Sequence, residues 1–147
     1  MLRIDLTTWE NAREPASRIR FAVFVDEQGV PADIELDEHD PVCVHALAIR
    51  DGDKVAGTGR LLPSMPEEGR RTSHVGRMAV LKDARGHGVG GAILERLVAV
   101  ARERGDEVVA LSAQVHALGF YRRHGFEPYG EVYLEAGIEH RAMRRVL

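Results

Sequence analysis

The sequence predicts one α/β domain, a mixed and mostly antiparallel sheet with helices on its faces. Three observations predict it. Apolar patterning runs β-α, then an antiparallel strand meander, then β-α-β-α, then β-β. One parallel crossover links the fourth and fifth strands, at 75–81 and 108–111. The chain has 147 residues, 44% of them hydrophobic and 29% charged, which is one globular domain spanning 1–147 with a real core.

Alternation from Leu2 to Leu6 marks the first strand. Ile19 and Val23, with Ala16, Ala22 and Phe24, give a helical stripe over residues 11–26, where Pro15 fits near the start and Gly29-Val30-Pro31 ends the helix. Residues 29–42 form an acidic loop carrying Asp33, Glu35, Asp37, Glu38 and Asp40. Val42 to Ile49 and Val55 to Leu62 are strands joined at Asp51-Gly52-Asp53, a hairpin turn. Ser64 to Thr72 reads as an exposed loop, and Val75 to Leu81 as a strand. Glycines crowd 86–91, and a helix follows to Arg104 with Val89, Ile93, Leu97 and Val100 on its apolar face and Gly105 past its end. Val108 to Leu111 is a buried strand, Gln114 to His124 a helix, and Glu127 to Leu147 two strands around Ala136-Gly137.

Composition excludes several classes. Lys and Arg total 20 against 23 Asp and Glu, a net charge of −3, which argues against a dedicated nucleic-acid binder. One cysteine, Cys43, permits neither an internal disulfide framework nor a cysteine-based zinc cluster, and His39, His45, His74, His87, His116 and His124 show no metal-ligand spacing with Cys or paired carboxylates, so no metal is expected. No apolar run nears the roughly 18 residues of a membrane span. Met1-Leu2-Arg3-Ile4-Asp5 opens no signal peptide. A cytoplasmic, reduced domain without a membrane partner is the expectation.

The most informative stretch is Arg85-Gly86-His87-Gly88-Val89-Gly90-Gly91, a loop between a strand and a helix. Such glycines expose main-chain N–H groups at a helix N-terminus, where the orphan donors and the helix dipole suit a phosphate. A nucleotide P-loop requires Lys-Ser/Thr after the last glycine, and Gly91-Ala92 stands there. Gly86, Gly88 and Gly91 satisfy dinucleotide spacing, but too little chain follows for a doubly wound sheet. The diphosphate of an acyl-coenzyme A, or a connector that binds nothing, remain as the other readings.

Arg85 to Gly90 resembles the Arg/Gln-x-x-Gly-x-Gly/Ala signature of the GNAT superfamily of N-acetyltransferases. Ala117-Leu118-Gly119-Phe120-Tyr121-Arg122-Arg123-His124-Gly125-Phe126 is similar to its Ala-x-x-Phe-Tyr-x-x-x-Gly-Phe segment, and the element order matches over nearly the whole chain. Gln114 departs from the pattern, since many members carry Asn there.

The resemblance implies a GNAT fold whose parallel pair splays apart. It implies acetyl-CoA as co-substrate, with the pantetheine arm on the main chain of Met78, Ala79 and Val80. The diphosphate then falls to the N–H groups of Gly86, His87, Gly88, Val89, Gly90 and Gly91, with Arg85 adding charge and Gln114 near the cofactor. It implies Tyr121 as proton donor. The tail, Glu131 to Met143, resembles a branch of small-molecule acetyltransferases acting on glyphosate-like amines, which implies His140 as base, with Glu135 as fallback, and Arg20 and Arg77 as grips for an acceptor anion. The acidic loop favours a cationic amine instead, and the sequence leaves the two open.

The chemistry needs such groups. Neutralising a lysine-like amine of pKa about 10.4 at pH 7 costs about 4.6 kcal/mol, which a base or a desolvating site offsets. A histidine, with its ordinary pKa near 6.5, suits that proton transfer. The expected function is therefore direct acetyl transfer from acetyl-CoA to a small-molecule amine in a ternary complex. The alternatives are an inactive acyl-CoA-binding sensor or interaction module, and an acetyltransferase acting on a protein amine. A homodimer is compatible with the resemblance.

Overall fold

A computed structural model describes residues 1–32 and 37–147, in which eight strands form one sheet flanked by helices. The strands are β1 (Leu2–Thr7), β2 (Val44–Arg50), β3 (Lys54–Leu61), β4 (Met65–Glu67), β5 (Arg70–Val80), β6 (Val108–Gln114), β7 (Glu127–Glu135) and β8 (Ile138–Val146). The α-helices are α1 (Trp9–Arg20), α2 (Val89–Glu103) and α3 (Leu118–Arg123). The sheet order is β1-β2-β3-β5-β6-β8-β7, with β4 paired to the start of β5. Every pairing is antiparallel except β5 with β6. This is the mixed-sheet α/β architecture expected from the patterning.

Local differences have physical causes. Residues 64–72 are not a loop: left-handed Glu68 (φ 53°) and Gly69 (φ 77°) make a tight turn that folds Met65–Glu67 back on Arg70–Thr72. The helix expected from Gln114 starts only at Leu118, because Gln114 stays in β6 opposite His140 and Val115–Ala117 form a 3₁₀ turn. The first helix begins at Trp9, so Pro15 lies inside it, without an N–H for the turn before. Past Arg20 the helix widens over Phe21–Glu27 into a π-helical extension. Left-handed Gly29 (φ 74°) closes it, with Gly29 N–H on Val25 O at 3.0 Å and Val30 N–H on Phe24 O at 2.8 Å.

The helices cover opposite faces of the sheet. Val89, Ile93, Leu94, Leu97 and Val98 of α2 are buried in the main core with Leu61, Val109, Leu111 and Met143. Gly59 permits that approach, since a Cβ there meets Ile93 Cγ2 at 2.9 Å and Met78 Sδ at 2.7 Å. On the other face Ala12 and Ala16 of α1 pack on Leu47 and Ile49, and Ile19 with Val23 packs on Ala79.

One irregularity positions the site. β5 and β6 pair only from Thr72–Val108 to Val75–Leu111. Beyond that point Arg77 takes a left-handed backbone (φ 51°), and the register of β5 against β3 slips by one residue between Thr58 and Arg60. Such a bulge bends its strand. Gly76–Val80 therefore leaves Ser112–Gln114, which continue on β8, and the sheet parts.

Candidate active site

The parted strands open into a cavity of about 650 Å³. Its walls bring together Arg77, Met78, Ala79 and Val80 from β5, Gln114 from β6, Tyr121 from α3, His140 from β8, and Arg85. The extension after α1 contributes Phe24, Glu27 and Gln28.

The glycine loop adjoins the Arg85 end. Gly86 (φ 84°) and Gly88 (φ 78°) are exposed and left-handed, a backbone that side chains disfavour. Gly88 caps α2 without a side-chain hydrogen bond, and the first main-chain bond is Ala92 N–H to Gly88 O at 3.1 Å. Among the described residues no acceptor meets the N–H groups of Gly86 through Gly91. Open donors at a helix N-terminus suit an anion. Gly91 has a second reason to be glycine: a Cβ there lies 3.0 Å from His124 Nε2.

Arg85 spans the mouth. Its Nη2 donates to Glu27 at 2.7 Å and its Nε to the Val80 carbonyl at 3.0 Å. The guanidinium holds the Glu27 carboxyl below its ordinary range. Beside it, Gln114 Nε2 donates to Gln28 Oε1 at 2.8 Å, and Gln114 Oε1 accepts from His116 Nε2 at 2.7 Å. Adjacent residues of one segment, Glu27 and Gln28, thus hold both lips of the gap.

Tyr121 and His140 are the two proton-handling groups. The Tyr121 ring sits edge-on to Phe120 and Phe126, its hydroxyl has no hydrogen-bond partner among the described residues, and burial pushes the phenol up to about 12. His140 is buried, with Nδ1 2.7 Å from the Ile138 carbonyl. A carbonyl only accepts, so Nδ1 carries the proton, and Nε2 faces Glu135 Oε2 at 3.4 Å. The ring stacks on Tyr133 at 6.0 Å between centroids, and the Tyr133 hydroxyl bonds Ser112 Oγ.

The expected acceptor grips need correction. Arg20 is not on the cavity wall; it is 1% exposed, paired with Asp40 at 2.9 and 3.1 Å, and lies over Trp9. Arg77 does line the cavity, with Nη2 3.2 Å from Asp37. Two carboxylates of the acidic loop, Asp37 and Asp40, are held by arginines rather than open to a cation. Burial acts to raise the Asp37 and Asp40 carboxyls, but Arg60 with Arg77 outweighs it and holds Asp37 well below the ordinary range, and Arg20 with Arg60 holds Asp40 below it. Asp33 and Glu35 lie outside the described residues.

Sequence reasoning missed Phe24, Glu27 and Gln28, because nothing local shows that the helix extension turns toward the gap. Tyr133 was within reach: the Ala136-Gly137 turn alone sets Tyr133 opposite His140. Among the described residues no three His, Cys, Asp or Glu side chains converge as metal ligands, and no helix is long and apolar enough to cross a membrane.

Residues 4–126 match the acetyltransferase (GNAT) family model. An uncharacterized N-acetyltransferase of Bacillus subtilis (strain 168), YjcF, is 36% identical over 137 residues, covering 92% of this chain and 94% of its own. The crystal structure of an acyl-CoA N-acyltransferase from Pseudomonas aeruginosa superposes with a TM-score of 0.84 at 35% identity, over 99% of this chain and 100% of that one. Escherichia coli ElaA superposes with a TM-score of 0.84 at 28% identity, over 99% of each chain.

Proposed function

Because the chain belongs to the acetyltransferase (GNAT) family, we propose that it is an N-acetyltransferase that moves the acetyl group of acetyl-CoA to a small-molecule primary amine, by direct attack in a ternary complex. The observation that carries this reading is the gap beside Met78, Ala79 and Val80, with Tyr121 and His140 both on its wall. The two approach from different sides. Tyr121 packs on the α2 core, whereas strand alternation sets His140 on the face opposite to core residue Met143. A thioester reaching in from one side and an amine from the other meet between them.

The residues present fit the co-substrate. Open N–H groups at Gly86 through Gly91 offer donors to a diphosphate. Arg85 adds positive charge at the same end, and the free edge of β5 past the bulge offers main-chain groups to an extended amide-bearing arm. When bound, the co-substrate supplies an activated acyl carbon and a thiolate leaving group.

The amine nitrogen attacks the thioester carbonyl carbon, forming C–N, and the C–S electron pair leaves on sulfur. The surplus N–H proton passes to His140 Nε2, the nitrogen left free by the Nδ1 bond to Ile138 O. Sulfur takes its proton from the Tyr121 hydroxyl, and solvent resets both groups. With its phenol held up near 12, Tyr121 stays protonated at neutral pH, hydrogen-bonds the departing sulfur and gives up its proton only late in the step. Main-chain N–H groups near Val80, on the wall of the gap, are the donors offered to the transient oxyanion in this reading.

Free-thiol release from acetyl-CoA across a panel of small amines tests this reading. Amine-dependent release supports it. Tight co-substrate binding with no release across the panel identifies an acyl-CoA-binding module instead.

A further inference from the structure

The β7–β8 hairpin ends in a two-residue turn, left-handed at Ala136 (φ 51°) and Gly137 (φ 76°), so Glu135 pairs with Ile138 and Tyr133 with His140. Alternation sets these four residues on one face. Glu135 and His140 then meet with a carboxylate oxygen 3.4 Å from Nε2, the ring nitrogen that Ile138 O leaves unengaged. With the imidazole neutral both are acceptors, and a cationic group carrying several N–H donors bridges them with charge assistance.

The other charges on the wall are already engaged. Arg85 holds Glu27, and Arg77 pairs with Asp37. Among the described residues Glu135 is the carboxylate of the cavity wall with no arginine on it, and its side chain is 59% exposed. Phe24, Val30 and Ile138 line the same cavity.

We propose that Glu135 and His140 together receive the acceptor as its ammonium ion, with the apolar body of the amine against Phe24, Val30 and Ile138. The acceptor class is then an apolar primary amine, and Glu135 is its charge-recognition residue. This rests on the N-acetyltransferase reading for its chemistry. The ammonium gives one proton to His140 Nε2, and the imidazolium passes it on to solvent. The nitrogen lone pair is then free to attack, and the second N–H proton follows the same route after C–N forms.

The probes are 2-phenylethylamine, cationic with an apolar body, and aminomethylphosphonate, an amine carrying an anion. Thiol release with wild type and Glu135→Gln is expected to show KM for 2-phenylethylamine raised about tenfold with kcat much less affected, the loss of one charge-assisted contact. Glu135→Asp restores part of the loss, and aminomethylphosphonate is the poorer acceptor. An unchanged KM in Glu135→Gln, or aminomethylphosphonate as the better acceptor, overturns the proposal and leaves the transferase reading intact. A second readout needs no turnover. Nuclear magnetic resonance of the His140 ring nitrogens, titrated with 2-phenylethylammonium alone, is expected to show displacement in wild type that needs higher concentration in Glu135→Gln. That displacement without thiol release from any amine removes the transferase reading and supports the ammonium site. No displacement in either protein overturns the site.

Discussion

Arg20 and Asp40 form a two-armed ion pair inside the protein, Nη1 to Oδ1 at 2.9 Å and Nη2 to Oδ2 at 3.1 Å, with both side chains 1% exposed. Arg60 joins it, donating to Asp40 at 2.8 Å and to Asp37 at 2.7 and 2.8 Å. The network ties the last residue of α1 to β3 and so anchors the extension that walls the cavity. Removing one member leaves the others charged and buried, which costs about 3–5 kcal/mol. Arg20→Met is therefore expected to lower the urea midpoint sharply. A midpoint close to that of the parent would show that the pair contributes little to stability.

The same carboxylates set an acid limit. Asp37 and Asp40 titrate below their ordinary value of 3.8 in the folded state, so on acidification the unfolded chain binds protons first. Their contribution is fully present above about pH 5 and is lost as pH falls through the unfolded value toward the lower folded ones. Stability of the parent is expected to drop between pH 5 and pH 3, and that of Asp40→Asn to drop less over the same range. Parallel curves would remove Asp40 from the account.

Gly88 and Gly91 separate two reasons for glycine. A side chain at Gly88 meets nothing within 4 Å, yet the residue is left-handed and caps the helix whose N–H groups stand open. Gly88→Val is expected to abolish measurable CoA binding by calorimetry, beyond a strain cost of about 1–2 kcal/mol. Gly91→Ala pushes against His124 and is expected to show mainly as a lower melting temperature. Undiminished CoA affinity in Gly88→Val counts against the loop as the diphosphate site.

Tyr121→Phe removes a hydroxyl that bonds no described residue. Thermal stability is expected to hold while kcat falls about a hundredfold, the usual scale of a lost proton donor. Since burial raises the phenol to about 12, the basic limb of the parent below pH 10 belongs to another group. A kcat within about twofold of the parent excludes Tyr121 as the donor to sulfur.

His140→Ala is expected to lose most rate near pH 6 and least near pH 10, where roughly a quarter of an amine of pKa about 10.4 is already neutral. A uniform loss across pH would assign His140 to packing against Tyr133 instead.

Much of the fold was legible because each element carries its own punctuation. Asp51-Gly52, Gly105 and Ala136-Gly137 sit where the backbone turns left-handed, and α2 displays its buried stripe at helical spacing. The turn at Glu68-Gly69 carried the same kind of signal, masked by the polar run around it. In the site, Tyr121, His140 and Arg85 were legible as motif positions and do share one cavity. Arg20 was misread because a helix sequence does not tell whether an arginine points at a ligand or at an aspartate 20 residues on, and here Asp40 claims it. The bulge at Arg77 left no mark, since a left-handed arginine follows from its surroundings and not from its own preference.

That bulge has a mechanical side. Along the sheet, four β5–β6 pairs, Thr72–Val108 to Val75–Leu111, join the leaf carrying β1, β2, β3 and β5 to the leaf carrying β6, β8 and β7, and the α2 core packs across both. The parted ends stand like the open pages of a book beyond a short spine, and a ligand laid between the pages bridges both edges. Amide hydrogens along Ser112–Gln114 and Gly76–Val80 should then exchange more slowly once a page-filling ligand is in place, a readout of occupancy that needs no catalysis.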